Sequence, residues 1–340
     1  MSATPSSISC DVDFDKKGRQ ISFLRLLYSD NRHANGMIPV PIAVVVGGSG
    51  PTVLLTAGTH GDEYEGQVIL QHLMREVDPA RLNGRLIIMP ALNYPAVLAF
   101  ARVSPLDDGN MNRIFPGDPN GTPTLAIANY VNDKILPICD AGLDLHSGGF
   151  ASEYMPCAFL RNGGDKSLKA RKLAITEAFG APLTVVVPGG PGLSSLLAAA
   201  DAQGVAMLAT ELGGCGSVNL DALEIGRRGV NQVLHHLGVL DVGTSVDKPA
   251  ATRFVQMPGP KYHVHAPVSG LFEPYCVLGD DVVAGQKAGC LHPRDNPDAK
   301  AVEVEFGADG MVLTRRVPAV SKCGDYLFSV ATDFPRENLS

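Results

Sequence analysis

Thr52-Val-Leu-Leu-Thr-Ala57, followed by Gly58-Thr-His60-Gly-Asp-Glu63 and then Leu70, Leu73, Met74 and Val77, decides the fold. The first six residues form a short, uninterrupted apolar run of the kind found in a strand buried on both faces. The four apolar residues that follow recur at i, i+3, i+4 and i+7, the stripe of a helix packed on one side. Strand, turn and helix therefore come in that order, and Pro79 marks the end of the helix. Upstream, Gln20–Tyr28 and Val40–Val46 are apolar and β-branched and read as strands. Downstream the alternation continues. Strands are expected at Arg85–Met89, Gly142–Leu145, Tyr154–Leu160, Leu183–Val187 and Val205–Thr210. Helices are expected through Ile127, Val131 and Ile135 as far as Pro137, and over Lys166–Phe179, Ser194–Gln203 and Leu220–Leu237. This pattern predicts an α/β fold with a mixed, mostly parallel sheet flanked by helices. In such sheets the ligand sits beyond the carboxyl ends of the strands.

The composition changes after Leu240. From about Ala251 the chain is rich in Val, Gly and Pro, and turn signals recur at Pro258-Gly, Gly279-Asp, Asp309-Gly and Gly324-Asp. We expect a catalytic α/β unit over residues 1–245, a linker at Asp241–Pro249 and a small all-β unit over 250–338. Ala266-Pro-Val-Ser-Gly270 and Leu278-Gly-Asp-Asp-Val-Val-Ala-Gly285 resemble a lipoyl-like hairpin fold. No lysine lies between them to carry a swinging arm. The β unit is therefore expected to narrow the mouth of a site or to form an oligomer contact, which allows a homo-oligomer.

The chain has 340 residues, with 28 Lys plus Arg against 35 Asp plus Glu. A net charge of −7 argues against nucleic acid as a partner, because phosphate binding needs a basic surface. Met1–Asp13 has neither a basic head nor an apolar run, so no secretory signal is read there. Two uncharged stretches, Asn35–His60 and Ala181–Ala200, are broken by Pro and Gly before they could span a membrane as a helix. The seven cysteines are scattered, with no CxxC-type pair, which fits free thiols in the cytoplasm.

His60 and Glu63 stand three apart at a strand-to-helix turn, where both can converge on one point. An imidazole and a carboxylate suit zinc at about 2.0–2.2 Å, but a catalytic zinc needs a third ligand. His146, in Leu143-Asp-Leu-His146-Ser-Gly-Gly, supplies it at the end of another strand. Two His and one Glu leave a fourth position open for water. Glu211, in Ala209-Thr-Glu211-Leu-Gly-Gly214, ends an apolar run. A carboxylate there is expected to have a raised pKa, suited to moving a proton from water to a leaving amine. The loop from Arg102 to Gly117 carries Arg102, Asn110, Asn112 and Arg113, donors fit to clamp a carboxylate or an oxyanion.

Taken together, Gly-Thr-His60-Gly-Asp-Glu63, Asn112-Arg113-Ile-Phe-Pro-Gly, Asp144-Leu-His146 and Glu211-Leu-Gly-Gly resemble the succinylglutamate desuccinylase/aspartoacylase family, which is related to zinc carboxypeptidases. The resemblance covers roughly Thr52–Leu237. It implies one zinc per chain held by His60, Glu63 and His146, with Glu211 as general base and then acid. It further implies that Arg102 stabilises the carbonyl oxygen, that Asn112 and Arg113 hold the substrate carboxylate, and that Asp144 orients a zinc ligand. Ser104-Pro and Asn110-Met-Asn-Arg-Ile-Phe-Pro-Gly, with His60-Gly-Asp-Glu63-Tyr-Glu-Gly-Gln67, resemble the branch that deacetylates Nα-acetyl-L-2,4-diaminobutyrate in ectoine breakdown.

Aspartoacylases carry an Arg shortly before the catalytic Glu; Ser194–Thr210 has none. That speaks against N-acetylaspartate as substrate and is compatible with an N-acyl amino acid whose side chain is an amine. Asp107, Asp108 and Glu153 are candidate partners for its ammonium, and the sequence does not choose among them. Cys215 reads as packing. Deacylation of another N-acyl amino acid, carboxypeptidase action on short peptides and a non-catalytic zinc module are the competing readings.

Overall fold

The computed structural model describes residues 8–31, 34–190, 194–240, 249–296 and 298–339. The linker expected at Asp241–Pro249 lies outside them but for Pro249. So do Met1–Ser7 of the opening stretch and Pro191, Gly192 and Leu193 of the second uncharged stretch.

Strands β1 (Ile8–Cys10), β2 (Gly18–Leu27) and β3 (Met37–Val46) form an antiparallel meander. The α/β alternation follows: β4 (Thr52–Ala57), α1 (Glu65–Glu76), β5 (Arg85–Met89), α2 (Tyr94–Leu98), α3 (Pro123–Tyr130), β6 (Ala141–His146), β7 (Ser152–Tyr154), β8 (Cys157–Asn162), α4 (Lys166–Phe179), β9 (Leu183–Pro188), α5 (Leu196–Ala202), β10 (Ala206–Glu211) and α6 (Leu220–His236). The remaining strands are β11 (Arg253–Gln256), β12 (His263–His265), β13 (Gly270–Pro274), β14 (Asp281–Val282), β15 (Lys287–His292), β16 (Val302–Glu305), β17 (Gly310–Arg316), β18 (Val320–Ser321) and β19 (Tyr326–Asp333).

The main sheet is mixed and runs β1-β2-β3-β5-β4-β6-β10-β8-β9-β11-β19-β17-β14. Parallel pairs make up most of its centre, β5 with β4, β4 with β6, β6 with β10, β8 with β9 and β9 with β11, with one antiparallel pair, β10 with β8, among them. Antiparallel pairs extend it at both ends. The C-terminal strands β11, β19 and β17 continue this sheet, and β7 pairs with β17. A second, antiparallel sheet runs β16-β15-β13-β18.

The unbroken apolar run of β4 has a direct structural reason. Successive side chains of a strand point to opposite faces, and both faces are covered. Leu55 enters the core beneath α1, α4 and α6, whereas Leu54 enters the core shared with α3, α5 and the N-terminal strands. Both are fully buried. Truncating either to Ala is expected to cost about 2–5 kcal/mol.

Two expected elements differ from those observed. The single strand expected at Tyr154–Leu160 is two strands, because Met155-Pro156 interrupts it and Pro cannot donate to a ladder. The first part pairs with β17 and the second with β9 and β10. The helix expected to stop at Pro137 is α-helical only to Tyr130. It continues as a π-turn over Val131–Ile135 and a 3-10 turn over Leu136–Ile138 that contains the proline. Pro137 has no N–H to give an α-helical bond, so the backbone pattern changes around it.

A candidate metal centre at the strand ends

The central strands β4, β6 and β10 are neighbours and end side by side. Past Ala57 the chain turns at Gly58 in the left-handed region, with φ of 66°. At Gly61 a Cβ would lie 2.1 Å from the Ala96 carbonyl, so only glycine fits there. The Gly61 N–H donates to the Ala101 carbonyl at 2.9 Å. This pinned turn sets His60 and Glu63 on one side of it. His60 Nδ1 lies 2.6 Å from Glu63 Oε1. His146, the last residue of β6, brings its Nδ1 to 2.7 Å from Glu63 Oε2. All three side chains are buried.

The far side of each ring shows where its proton sits. His146 Nε2 is 2.8 Å from Asp144 Oδ2. Asp144 Oδ1 accepts from the hydroxyls of Thr56 and Thr59 at 2.7 and 3.0 Å, which keeps Asp144 an acceptor. His60 Nε2 is 3.2 Å from Asn110 Oδ1. That oxygen also accepts from the Asn112 backbone N–H, which fixes the orientation of the amide. Both rings therefore carry hydrogen on Nε2 and turn Nδ1 toward a carboxylate oxygen. A lone pair facing a carboxylate at that distance requires a positive charge between them. Either a proton on each Nδ1 or one divalent cation satisfies it.

The donor set fits the cation. The ligand atoms of His60, Glu63 and His146 lie within 4.8 Å of one another. Two imidazoles and a carboxylate form a recurrent zinc set. The electrostatics agree. Burial works to raise the pKa of Glu63, but His146 and His60 outweigh it and hold the carboxyl below its ordinary range. Burial works to lower that of His146, but Asp144 and Glu63 outweigh it and raise the imidazole well above its ordinary value.

Two further groups border the triad. Arg102, half exposed, donates from Nη1 to Glu63 Oε1 at 3.3 Å. Glu211 is the last residue of β10 and stands opposite His146 in the parallel register. Its Oε2 is buried with no hydrogen-bond partner. Burial, reinforced by Glu63, pushes its pKa well above the carboxylate range, against the pull of His146 and Arg102.

Residues 49–237 match the succinylglutamate desuccinylase/aspartoacylase catalytic domain. The chain belongs to the succinylglutamate desuccinylase/aspartoacylase family. It is 38% identical over 328 residues to the N-alpha-acetyl-L-2,4-diaminobutyric acid deacetylase of Halomonas elongata, covering 96% of this chain and 95% of that protein. The crystal structure of a succinylglutamate desuccinylase/aspartoacylase from Rhodobacter sphaeroides superposes with a TM-score of 0.90 at 39% identity, over 97% of this chain and all of that one. The product-bound ectoine utilization protein EutE (DoeB) from Ruegeria pomeroyi gives a TM-score of 0.92 at 36% identity, over 97% and 100% of the two chains. The chain is thus an enzyme that hydrolyses amide bonds. Among the described residues, no helix is long and apolar enough to cross a membrane.

Within this succinylglutamate desuccinylase/aspartoacylase site, Asn112 and Arg113 lie on a 3-10 turn, Met111–Arg113, that Asn110 caps. Asn112 Oδ1 is buried without a partner, while exposed Arg113 turns Nη1 back onto the Asn112 carbonyl at 2.8 Å. Among the described residues neither hydrogen-bonds to the triad. Of the three carboxylates considered for a substrate ammonium, Asp107 binds the Thr124 N–H and hydroxyl at 2.8 and 2.7 Å. Glu153 accepts from Arg315 at 2.5 Å. Asp108 is exposed.

Sequence reasoning counted Asn110 only among the clamp donors, not as the partner of His60, and gave no role to Thr56 or Thr59. Thr56 carried a usable signal, a hydroxyl in the middle of an otherwise apolar buried strand. Asn110 carried none, because its contact with His60 joins residues 50 apart.

Proposed function

We propose that the protein is a zinc-dependent deacetylase acting on an N-acetylated amino acid, with Nα-acetyl-L-2,4-diaminobutyrate as substrate and acetate and the free diamino acid as products. The observation that carries the metal assignment is the paired orientation of His60 and His146. Each is held through Nε2 and turns Nδ1 onto the one carboxylate of Glu63. Zinc bound there, one per chain, would polarise the acyl carbonyl and lower the pKa of a water toward about 7. Asp144 keeps the His146 proton on Nε2. Glu211 accepts a proton from the attacking water and delivers it to the departing amine nitrogen, a task suited to a buried carboxylate with a raised pKa. Arg102 stabilises the carbonyl oxygen as negative charge develops. Asn112 and Arg113 hold the substrate carboxylate.

The substrate assignment draws on the named activity of the Halomonas elongata relative, which matches this chain almost end to end. The lack of Arg in Ser194–Thr210 agrees with a substrate whose side chain is not acidic. Residues 1–245 form the catalytic unit in this reading and 250–338 the β unit, and the seven free cysteines accord with the cytoplasm. The test is acetate release from N-acetylated diamino acids, N-acetylaspartate and N-succinylglutamate, with and without a chelator. Fastest turnover on the α-acetylated diaminobutyrate, abolished by chelation and restored by zinc, is expected. Preference for N-acetylaspartate, or full activity in chelator, would overturn the reading.

A further inference from the structure

Remote in sequence from the catalytic triad, a second convergence of metal-ligating atoms lies in the antiparallel sheet β16-β15-β13-β18. Glu273 on β13 and Cys290 on β15 are cross-strand partners. Cys290 and His292 are two apart on β15 and share one face of the sheet. The three side chains meet pairwise. Cys290 Sγ is 3.3 Å from Glu273 Oε2 and 3.3 Å from His292 Nε2, and His292 Nε2 is 2.8 Å from Glu273 Oε2. Cys290 is 3% exposed, whereas the side chains of Glu273 and His292 are 56% and 50% exposed. The thiol thus forms a floor and the other two groups a rim open to solvent.

Such a Cys, His and Glu set has two chemical readings, and the geometry separates them. In a nucleophile relay, the imidazole takes a proton from the thiol on one ring nitrogen and is held by the carboxylate on the other. Here both the sulfur and the carboxylate oxygen approach Nε2. Three donors converging on one point are what a metal ion requires. Around a tetrahedral zinc, sulfur stands about 3.5 Å from a nitrogen or oxygen donor, and nitrogen about 3.3 Å from oxygen. The two edges that involve sulfur fall about 0.2 Å short of that. The His292–Glu273 edge must open by about half an ångström, which two half-exposed side chains can accommodate. The nearest further charges cancel each other. Glu303 on β16 pairs with Cys290 in register, and Lys287 binds Glu303 at 2.5 Å.

We propose that Glu273, Cys290 and His292 form a second metal site, selective for a borderline divalent cation such as zinc, cobalt or copper and closed by water. A thiolate and an imidazole favour these ions over magnesium or calcium, which prefer all-oxygen shells. The ion would clip β13 to β15 on the solvent face of the small sheet. Binding releases the thiol proton, and no redox step is involved.

The test uses the full chain, stripped of metal and titrated with cobalt(II) alone. Cobalt bound through sulfur gives an intense near-ultraviolet charge-transfer band that nitrogen and oxygen ligands do not. The His60, Glu63 and His146 site offers no sulfur, so the band reports on the second site whatever the first one holds. We expect a thiolate band that saturates at one equivalent of sulfur-bound cobalt. Cys290→Ser should abolish it. Glu273→Ala and His292→Ala, both at exposed positions where misfolding is not an issue, should each weaken cobalt binding at that band at least tenfold. No band at saturating cobalt, a band that survives in Cys290→Ser, or unchanged affinity in both Ala variants would each overturn the site.

Discussion

Two buried ionic clusters lie on the main sheet, and they are balanced in opposite ways. On one flank Lys172 and Arg161 share Asp201. Lys172 Nζ donates to Asp201 Oδ1 at 2.6 Å, to the Arg161 carbonyl at 2.7 Å and to the Gly163 carbonyl at 2.8 Å. Arg161 donates to Asp201 and to the Gly190 carbonyl. Only Arg161 Nε lacks a partner. At the strand ends, by contrast, Glu63, Asp144 and Glu211 crowd around two imidazoles and one half-exposed arginine. There carboxylates are in excess, and one carboxylate oxygen of Glu211 is left bare. The first cluster holds two cations against one carboxylate, and three backbone carbonyls take up the surplus positive charge, so it works as structure. The second leaves negative charge unmet, which in the proposed reading a cation would meet. Burial is common to both, so burial alone does not mark function. A buried carboxylate that no protein donor meets does.

Removing a ligand should break that contrast most severely. His146→Ala takes away one of three donors, and the variant is expected to lose stoichiometric zinc and to fall to background turnover. Metal content by elemental analysis checks it; a full complement of zinc would count against the ligand set. Glu211→Gln comes next. It keeps the shape and the metal but cannot take a proton, so kcat should fall by about 10²–10⁴. The acid limb of the pH–rate profile should vanish with it, since that limb is the loss of the deprotonated carboxylate as pH falls. The opposite signature belongs to Asp201→Ala. It strands two buried cations and should cost about 3–5 kcal/mol of stability, read as a shift in denaturant midpoint. Turnover per folded molecule should stay the same. A drop in specific activity would show that the two clusters are not independent.

Much of this contrast is legible in the chain. The Thr52–Ala57 run, the Gly58–Glu63 turn and the strand ending at His146 announce themselves through local pattern, because strands buried on both faces and glycines at close approaches leave marks on neighbouring residues. The candidate metal ligands are legible for the same reason: each sits beside an end of a regular element. What stayed hidden depends on pairing at long range. Asn110 reaches His60 across 50 residues. Cys290 meets Glu273 only through an antiparallel register across 17 residues. A scan for paired cysteines passes over Cys290-Leu-His292, since its third donor is a carboxylate on another strand. The join of the C-terminal strands to the catalytic sheet through β11 and β9 is equally invisible, because a four-residue strand has too little periodicity to declare its neighbour.

The smallest effect tests the finest part of the comparison, the proton held on His146 Nε2. Asp144 accepts it at 2.8 Å while taking hydroxyl hydrogens from Thr56 and Thr59 on its other oxygen. An asparagine can keep the essential contact if its oxygen faces Nε2 and its amide donates toward the threonines. The hydroxyls can accept such a bond, and the Thr56 proton has the Leu143 carbonyl at 3.4 Å as an alternative. Asp144→Asn should therefore weaken zinc by about tenfold, the low end for loss of a group that orients a metal ligand. Asp144→Ala offers no acceptor, frees the ring to place its hydrogen on Nδ1 and should approach about 100-fold. Competition with a chromophoric chelator measures both. If the two variants lose equally, the negative charge of Asp144 matters and its hold on the tautomer does not; if neither loses affinity, His146 is oriented by the backbone of β6 and its contact with Thr210 instead.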